Sequence, residues 1–305
     1  MSRKAPARQM RRRVREEIYR WVFASLAFAS LAALIGITAV LFKEGIPFFR
    51  EVSLKEFFLG TGWYPTHEEA PEFGALPLIL ASVWVTAGAV LVSVPLGVGT
   101  ALFLSELCPP RLRSFLKPTV EILAGIPSVI FGFFAIAFIA PVFQKLFNLP
   151  TGLCALTASL TLGIMATPTV CSIAEDAVSF VPGNLREAAL ALGANKWQTL
   201  VRVVIPAAGS GIITGIILGT SRAIGETMVV LMAAGGAAVI PRSFTVPVRP
   251  ITSTIAAEMG ETVVGSTHFH ALFALGLILF LITFLFNILA EVVSRRFRMQ
   301  LGGDL

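Results

Sequence analysis

The stretch REAALALGANKWQTLVRVVIP, residues 186–206, lies between two strongly apolar segments and reads as two short helices joined by a bend. Asn184 and Glu187 stand three apart, the spacing at which a cap side chain and a returning carboxylate satisfy each other's backbone donors, and Asn195 and Gln198 repeat it. Gly193 falls where the first helix should end, a place that favours a left-handed residue without Cβ. Leu185, Ala188, Ala189 and Leu192 in the first helix, and Trp197, Leu200, Val201 and Val204 in the second, follow three-and-four spacing, so each helix is expected to carry one apolar stripe. A pair of this kind either lies on a membrane surface or docks a soluble partner.

Outward from this loop the chain is apolar. Of 305 residues, 55% are hydrophobic and 14% charged, with a mean hydropathy of +0.82, more apolar content than a soluble core of this length requires. Crossing a bilayer takes about 20 apolar residues, and the sequence offers six such spans: 21–42, 75–107, 119–143, 153–174, 207–234 and 271–293. The expected fold is all-α, a polytopic six-helix membrane bundle. Basic residues and the small stretch Ala27-Phe28-Ala29 resemble a secretory signal, but the apolar run continues to Leu41, too long for one, so the first span is read as retained. The segments are then a basic tail (1–20), a first helix and its loop (21–74), a transmembrane core (75–294) holding the loop 182–206, and a second tail (295–305).

Lys and Arg set the orientation. Seventeen lie in the N-terminal tail, after span two, in the loop 186–206 and at the C-terminus; six lie in the alternate connections. Both termini and the loop are expected to be cytoplasmic. The net charge of +6 is concentrated in the juxtamembrane tail, where anionic lipid is the ordinary partner, so nucleic-acid binding is set aside. Cys108, Cys154 and Cys171 have neither metal-ligand nor redox spacing, and no metal site is expected. His268 and His270, two apart on a helix, point to different faces. Glu121, Glu175 and Asp176 sit near span ends, where solvated or capping roles are expected.

The connection after span one, with FLGTGWYPTHEEAPEFGALP, reads as an ordered irregular loop; the segment 235–270 either re-enters the bundle or packs on its rim. AGIPSVIFGFF (124–134) and GIMATPTVCS (163–172) place Gly and Pro inside spans. Two readings stay open: close helix packing, or a substrate path lined by broken helices. Under the second, Ser128 and Thr167 are candidate path residues.

Glu187-Ala188-Ala189, three residues, Gly193, nine residues, Val203, one residue, Ile205-Pro206 resembles the EAA loop of ABC-importer permeases, with conservative exchanges at the two aliphatic positions. The resemblance extends through LKPTVEILAGIPSVIFGFF, ASLTLGIMATPTVCSIAEDAV and SRAIGETMVVLMAAGG to the permeases of phosphate-specific transport systems, most of all the PstC-type subunit. It implies a type I ABC-importer permease architecture in a bacterial or archaeal inner membrane. It also implies that Glu187, Ala188, Ala189, Gly193, Trp197, Ile205 and Pro206 couple to a separate ATPase. The expected partners are a second, PstA-like permease, a PstB-like ATPase pair and an external PstS-like phosphate-binding protein. No lysine precedes Ser or Thr anywhere, so a phosphate-binding P-loop is absent and the chain is not expected to be an enzyme. ATP and magnesium would be bound by the ATPase, with no cofactor here.

Arg222 and Glu226 in span five stand four apart, the spacing of one helix face. An arginine at bilayer depth costs about 2.5–3.5 kcal/mol on insertion scales. The pair is either a structural ion pair or the anion path, since a guanidinium fork matches phosphate oxygens and the R-A-x-G-E motif resembles that of phosphate permeases. The alternatives kept are a permease for sulfate or molybdate, a sister phosphate subunit, and, in another class, a secondary anion transporter, which would need Arg222 but no EAA loop.

Overall fold

The computed structural model describes the backbone of residues 5–67 and 69–302 and the side chains of 16–67 and 69–292. Of the two expected tails, residues 1–4 and 303–305 lie outside the described residues. Helix α1 spans Ala5–Gly45, so residues 5–20 continue the helix of the first span. Among the described residues, six helical stretches are long and apolar enough to cross a membrane. The all-α bundle expected from composition is the fold observed.

After α1 come α2 (Phe48–Glu51), α3 (Leu54–Leu59) and the strands β1 (Trp63–Tyr64) and β2 (Glu72–Phe73), antiparallel with Trp63 opposite Phe73. This corrects the expectation of an irregular loop. Phe48, Phe57, Trp63 and Phe73 are all buried and meet edge to face, with ring centroids 5.0–6.2 Å apart, forming a small lobe with its own aromatic core. The second span is α4 (Leu76–Leu102), prolonged through Leu107 by a wider π turn.

The third span departs from its expected start at Thr119. Gly125, Ile126 and Pro127 stop α5 (Pro110–Ala124), and the span proper is α6 (Ser128–Phe134) joined through a π turn to α7 (Ala140–Leu146). Pro127 cannot continue the ladder of the preceding helix. Helix α8 (Ala155–Ser179) is the most buried span, crossing the centre of the bundle. It packs between α4 and α11 at backbone distance: a methyl at Gly163 would sit 2.6 Å from Val92, and one at Gly97 2.7 Å from Val170. Close packing therefore accounts for these span glycines.

Helices α9 (Gly183–Ala191) and α10 (Lys196–Thr199) form the loop, and a π turn over Leu200–Val204 leads into α11 (Ile205–Ile224). Span five ends there, ten residues short of the expected Ala234, because the chain turns at Gly225 before the short α12 (Met228–Ala233). Residues 235–250 are irregular, and α13 (Ile251–Glu258) buries Ile251, Thr252, Ser253 and Thr254, so this segment re-enters the bundle. Helix α14 (Thr267–Gly302) completes the fold and packs along α1 and α11. With six spans alternating, residues 180–199 lie at one end, the loop end, and the aromatic lobe with 235–266 at the other.

Candidate functional site

At the loop end, the second capping box forms as read: Gln198 N donates to Asn195 Oδ1 at 2.8 Å and Asn195 N to Gln198 Oε1 at 2.9 Å. The first does not. Helix α9 begins two residues earlier, after Pro182, which puts Asn184 inside the first turn instead of at the cap. Gly193 has φ +86°, the left-handed bend expected of it, and Ala194 N closes on Ala189 O at 3.1 Å.

The stripes divide between two roles. Ala189, Leu200 and Val204 turn inward, whereas Leu192 (90% exposed), Trp197 (68% exposed), Leu190 and Val201 face out. Glu187, Ala188 and Pro206 are exposed and Ile205 is half-buried. An aromatic and three aliphatic side chains held out on a short, bent, capped scaffold form a plug suited to an apolar groove. Arg186, read only as an orienting charge, fixes this scaffold: it donates to Glu106 Oε1 at 2.6 Å, to Val181 O at 2.5 Å and to Val178 O at 3.0 Å. The guanidinium thus adds a charged donor to the carbonyls where α8 ends, Val178 O already accepting from Val181 N at 3.2 Å.

Arg222 does not meet Glu226. Helix α11 stops at Ile224, and the turn carries Glu226 off the face that continued helix would have shared. Its carboxylate instead accepts from Met228 N at 2.9 Å at the start of α12, and its carbonyl accepts from the Thr252 hydroxyl at 2.8 Å. The half-buried Arg222 guanidinium donates to Thr169 Oγ1 at 3.1 Å and to the Ala124 carbonyl at 3.3 Å. Among the described residues no carboxylate pairs with it. The expectation that the two share one helix face is therefore corrected, and the structural ion pair, one of the two readings left open, does not form.

The structure also separates the other path candidates. Thr167 donates to Gly163 O of its own helix at 2.8 Å, while Thr169, two residues on and unremarked in the sequence, meets Arg222. Ser128 is half-buried at the start of α6, just past the break that leaves Ala124 O available. Ser221 donates to Asn287 Oδ1 at 3.0 Å, adding α14 to this polar belt. A signal for the carbonyl was present: Gly125 and Pro127 end a helix whose last carbonyls then need donors.

Glu175 overturns its expected solvated role. It is 1% exposed, and its carboxylate binds Arg113 and Lys117, the latter at 2.5 Å, with Lys117 also reaching Asp176 at 3.1 Å. The hydrogen bond to Glu175 holds the Lys117 ammonium above its usual range. Glu121 is exposed. His268 meets Glu258 Oε2 at 2.9 Å and His270 the Glu44 carbonyl at 2.8 Å, on different faces as read.

Residues 93–299 match the family described as binding-protein-dependent transport system inner membrane component. The chain is 36% identical over 279 residues to the probable ABC transporter permease protein YqgH of Bacillus subtilis, covering 91% of this chain and 90% of that one. It is 39% identical over 266 residues to the phosphate transport system permease protein PstC of Mesorhizobium japonicum, covering 81% and 80%. Among solved structures, a bacterial alginate ABC transporter in complex with an alginate-bound periplasmic protein aligns with TM-score 0.63 at 15% identity, over 92% of this chain and 96% of that one. The MetNI methionine transporter in an inward-facing state aligns with TM-score 0.56 at 19% identity, over 71% and 93%. A bent, capped loop at one end, six spans and a match over two thirds of the sequence converge: the chain belongs to the family of binding-protein-dependent transport system inner membrane components.

Proposed function

We propose that this chain is the permease subunit of an ATP-driven importer of inorganic phosphate. The loop end faces the cytoplasm, with both termini on that side. One EAA-type loop makes half a translocation unit, so a second permease completes the pore, an ATPase pair seats on the two loops, and an external phosphate-binding protein delivers substrate at the lobe end. Nucleotide and magnesium belong to the ATPase, and this chain contributes no cofactor chemistry of its own.

The observation that carries the reading is Arg222, a guanidinium inside the bundle held by a hydroxyl and a carbonyl and by no carboxylate among the described residues. It lies sixteen residues past Pro206, roughly 24 Å along helix α11. A half-buried cation without a counter-ion is costly, and a passing oxyanion supplies the counter-charge with matched fork geometry. Glu226 shapes the break beside it by accepting from the first amides of α12. Phosphate systems in the curated relatives favour phosphate over sulfate or molybdate.

The test is uptake of labelled phosphate into vesicles holding the reconstituted complex, with the binding protein present and sulfate as competitor. Phosphate uptake resistant to sulfate and abolished by Arg222→Met is expected. Equal competition by sulfate, or undiminished uptake by Arg222→Met, would overturn the reading.

A further inference from the structure

Helix α5 is an unusual arm. It has no fully buried residue: Leu116 and Val120 are half-buried against the cluster around Leu104, Ala174 and Val178, while Leu112, Phe115, Ile122 and Leu123 are exposed along it. Polar attachments hold it at two further places. Near its start, Arg113 and Lys117 grip the buried Glu175 of α8, with Asp176 and Ser179 as further partners. At its end, the Ala124 carbonyl accepts from Arg222, the sole donor to that oxygen among the described residues. Beyond lies the Gly125-Ile126-Pro127 break and then span three.

The two attachments differ in kind. The first joins opposite charges. The second joins a cation to the negative end of a helix dipole through an otherwise open carbonyl. The bonds to Thr169 and Ala124 are charged on the donor side alone, whereas phosphate supplies a full opposite charge and a bidentate match to the guanidinium fork. An anion reaching Arg222 therefore competes for the donor that holds the end of α5, and beyond Val120, with Ile122 and Leu123 exposed, little buried surface opposes release of that last turn.

We propose that the Ala124 carbonyl end of α5 is an internal competitor for Arg222, displaced when phosphate arrives, and that the Glu175 clamp sets how firmly it competes. This rests on Arg222 meeting phosphate, as argued above, and adds the consequence: occupancy of the site is converted into movement of α5 and of the break leading to span three. Arg113, Lys117 and Glu175 are then positioning residues, acting through α5.

The experiment places a spin label at Ile122→Cys, an exposed position 70% accessible, in the full complex in lipid with Cys108→Ser. Inorganic phosphate is the probe. Without it the label should report a held helix end; millimolar phosphate should raise its mobility several-fold. Arg222→Met should be mobile at every concentration. Lys117→Met, which loosens the clamp without emptying Glu175 of its Arg113 partner, should lower the phosphate concentration for half-maximal release several-fold. A label unmoved by phosphate, an Arg222→Met chain as ordered as the unmodified one, or a Lys117→Met midpoint left unchanged would overturn the proposal. Uptake by the same preparations separates the two claims. Loss of uptake in Arg222→Met with an unmoved α5 removes only this inference, whereas retained uptake removes the phosphate reading beneath it.

Discussion

Arg186 and Glu106 are eighty residues apart in sequence and 2.6 Å apart in space, so the loop that projects Trp197 and Leu192 is tied to the end of α4 as well as to the end of α8. The tie makes the exposed loop a rigid extension of the core spans. Force applied to the loop is delivered to α4 and α8 together.

Arg186→Met should cost about 2 kcal/mol of local stability, because a hydrogen-bonded charge is removed and Glu106 is left without its donor. The expected phenotype is a complex that still assembles but hydrolyses ATP with less uptake per turnover. The ratio of transported phosphate to hydrolysed ATP measures it, and an unchanged ratio would refute the role assigned to the tie.

Gly193 should tolerate no β-branched residue. The φ of +86° is the difficulty, since no heavy atom lies within 4 Å of where its Cβ would be. Gly193→Val should cost about 1–2 kcal/mol and weaken ATPase co-purification, while Gly193→Asn, which visits this conformation more readily, should retain most of it. Equal retention by both variants would show that the bend does not govern docking.

For Glu226 the expectation follows from its bonds to α12. Glu226→Gln keeps one acceptor oxygen for the Met228 amide, and Glu226→Ala removes it, so the alanine variant should lose about 1 kcal/mol of helix-start stability and the glutamine variant little. Thermal unfolding of the purified complex tests this. Uptake should fall with Arg222→Lys as well, at least tenfold, because charge remains and the fork is lost.

Single cysteines at Thr66 and Val264, both exposed at the lobe end, should react with an impermeant thiol reagent from outside intact cells. Reaction only after permeabilisation would reverse the orientation drawn from Lys and Arg.

What the sequence made legible was whatever depends on neighbours along the chain. The apolar runs marked six spans, and Asn195, Gln198 and Gly193 marked the bend correctly because caps and left-handed turns are local devices. The Arg222 and Glu226 spacing misled for the same reason: four residues apart means one face only if the helix continues, and Gly225 decides that it does not. Thr169, Ala124 and Asn287 were invisible as partners, being fifty or more residues from the groups they meet. Glu175 looked like a span-end carboxylate because its two cations lie on another helix.

That Arg222 has no carboxylate partner among the described residues also bears on the electrical profile of the proposed passage. A lone anion entering a region of low permittivity faces a rising self-energy that peaks near the middle. On the proposed reading, the fixed positive charge of Arg222 lowers that self-energy along the path and makes the bundle hospitable to an anion where bare lipid would be hostile. The same charge would, on that reading, repel sodium, potassium and protons, so the residue proposed to admit the anion would also protect the membrane potential.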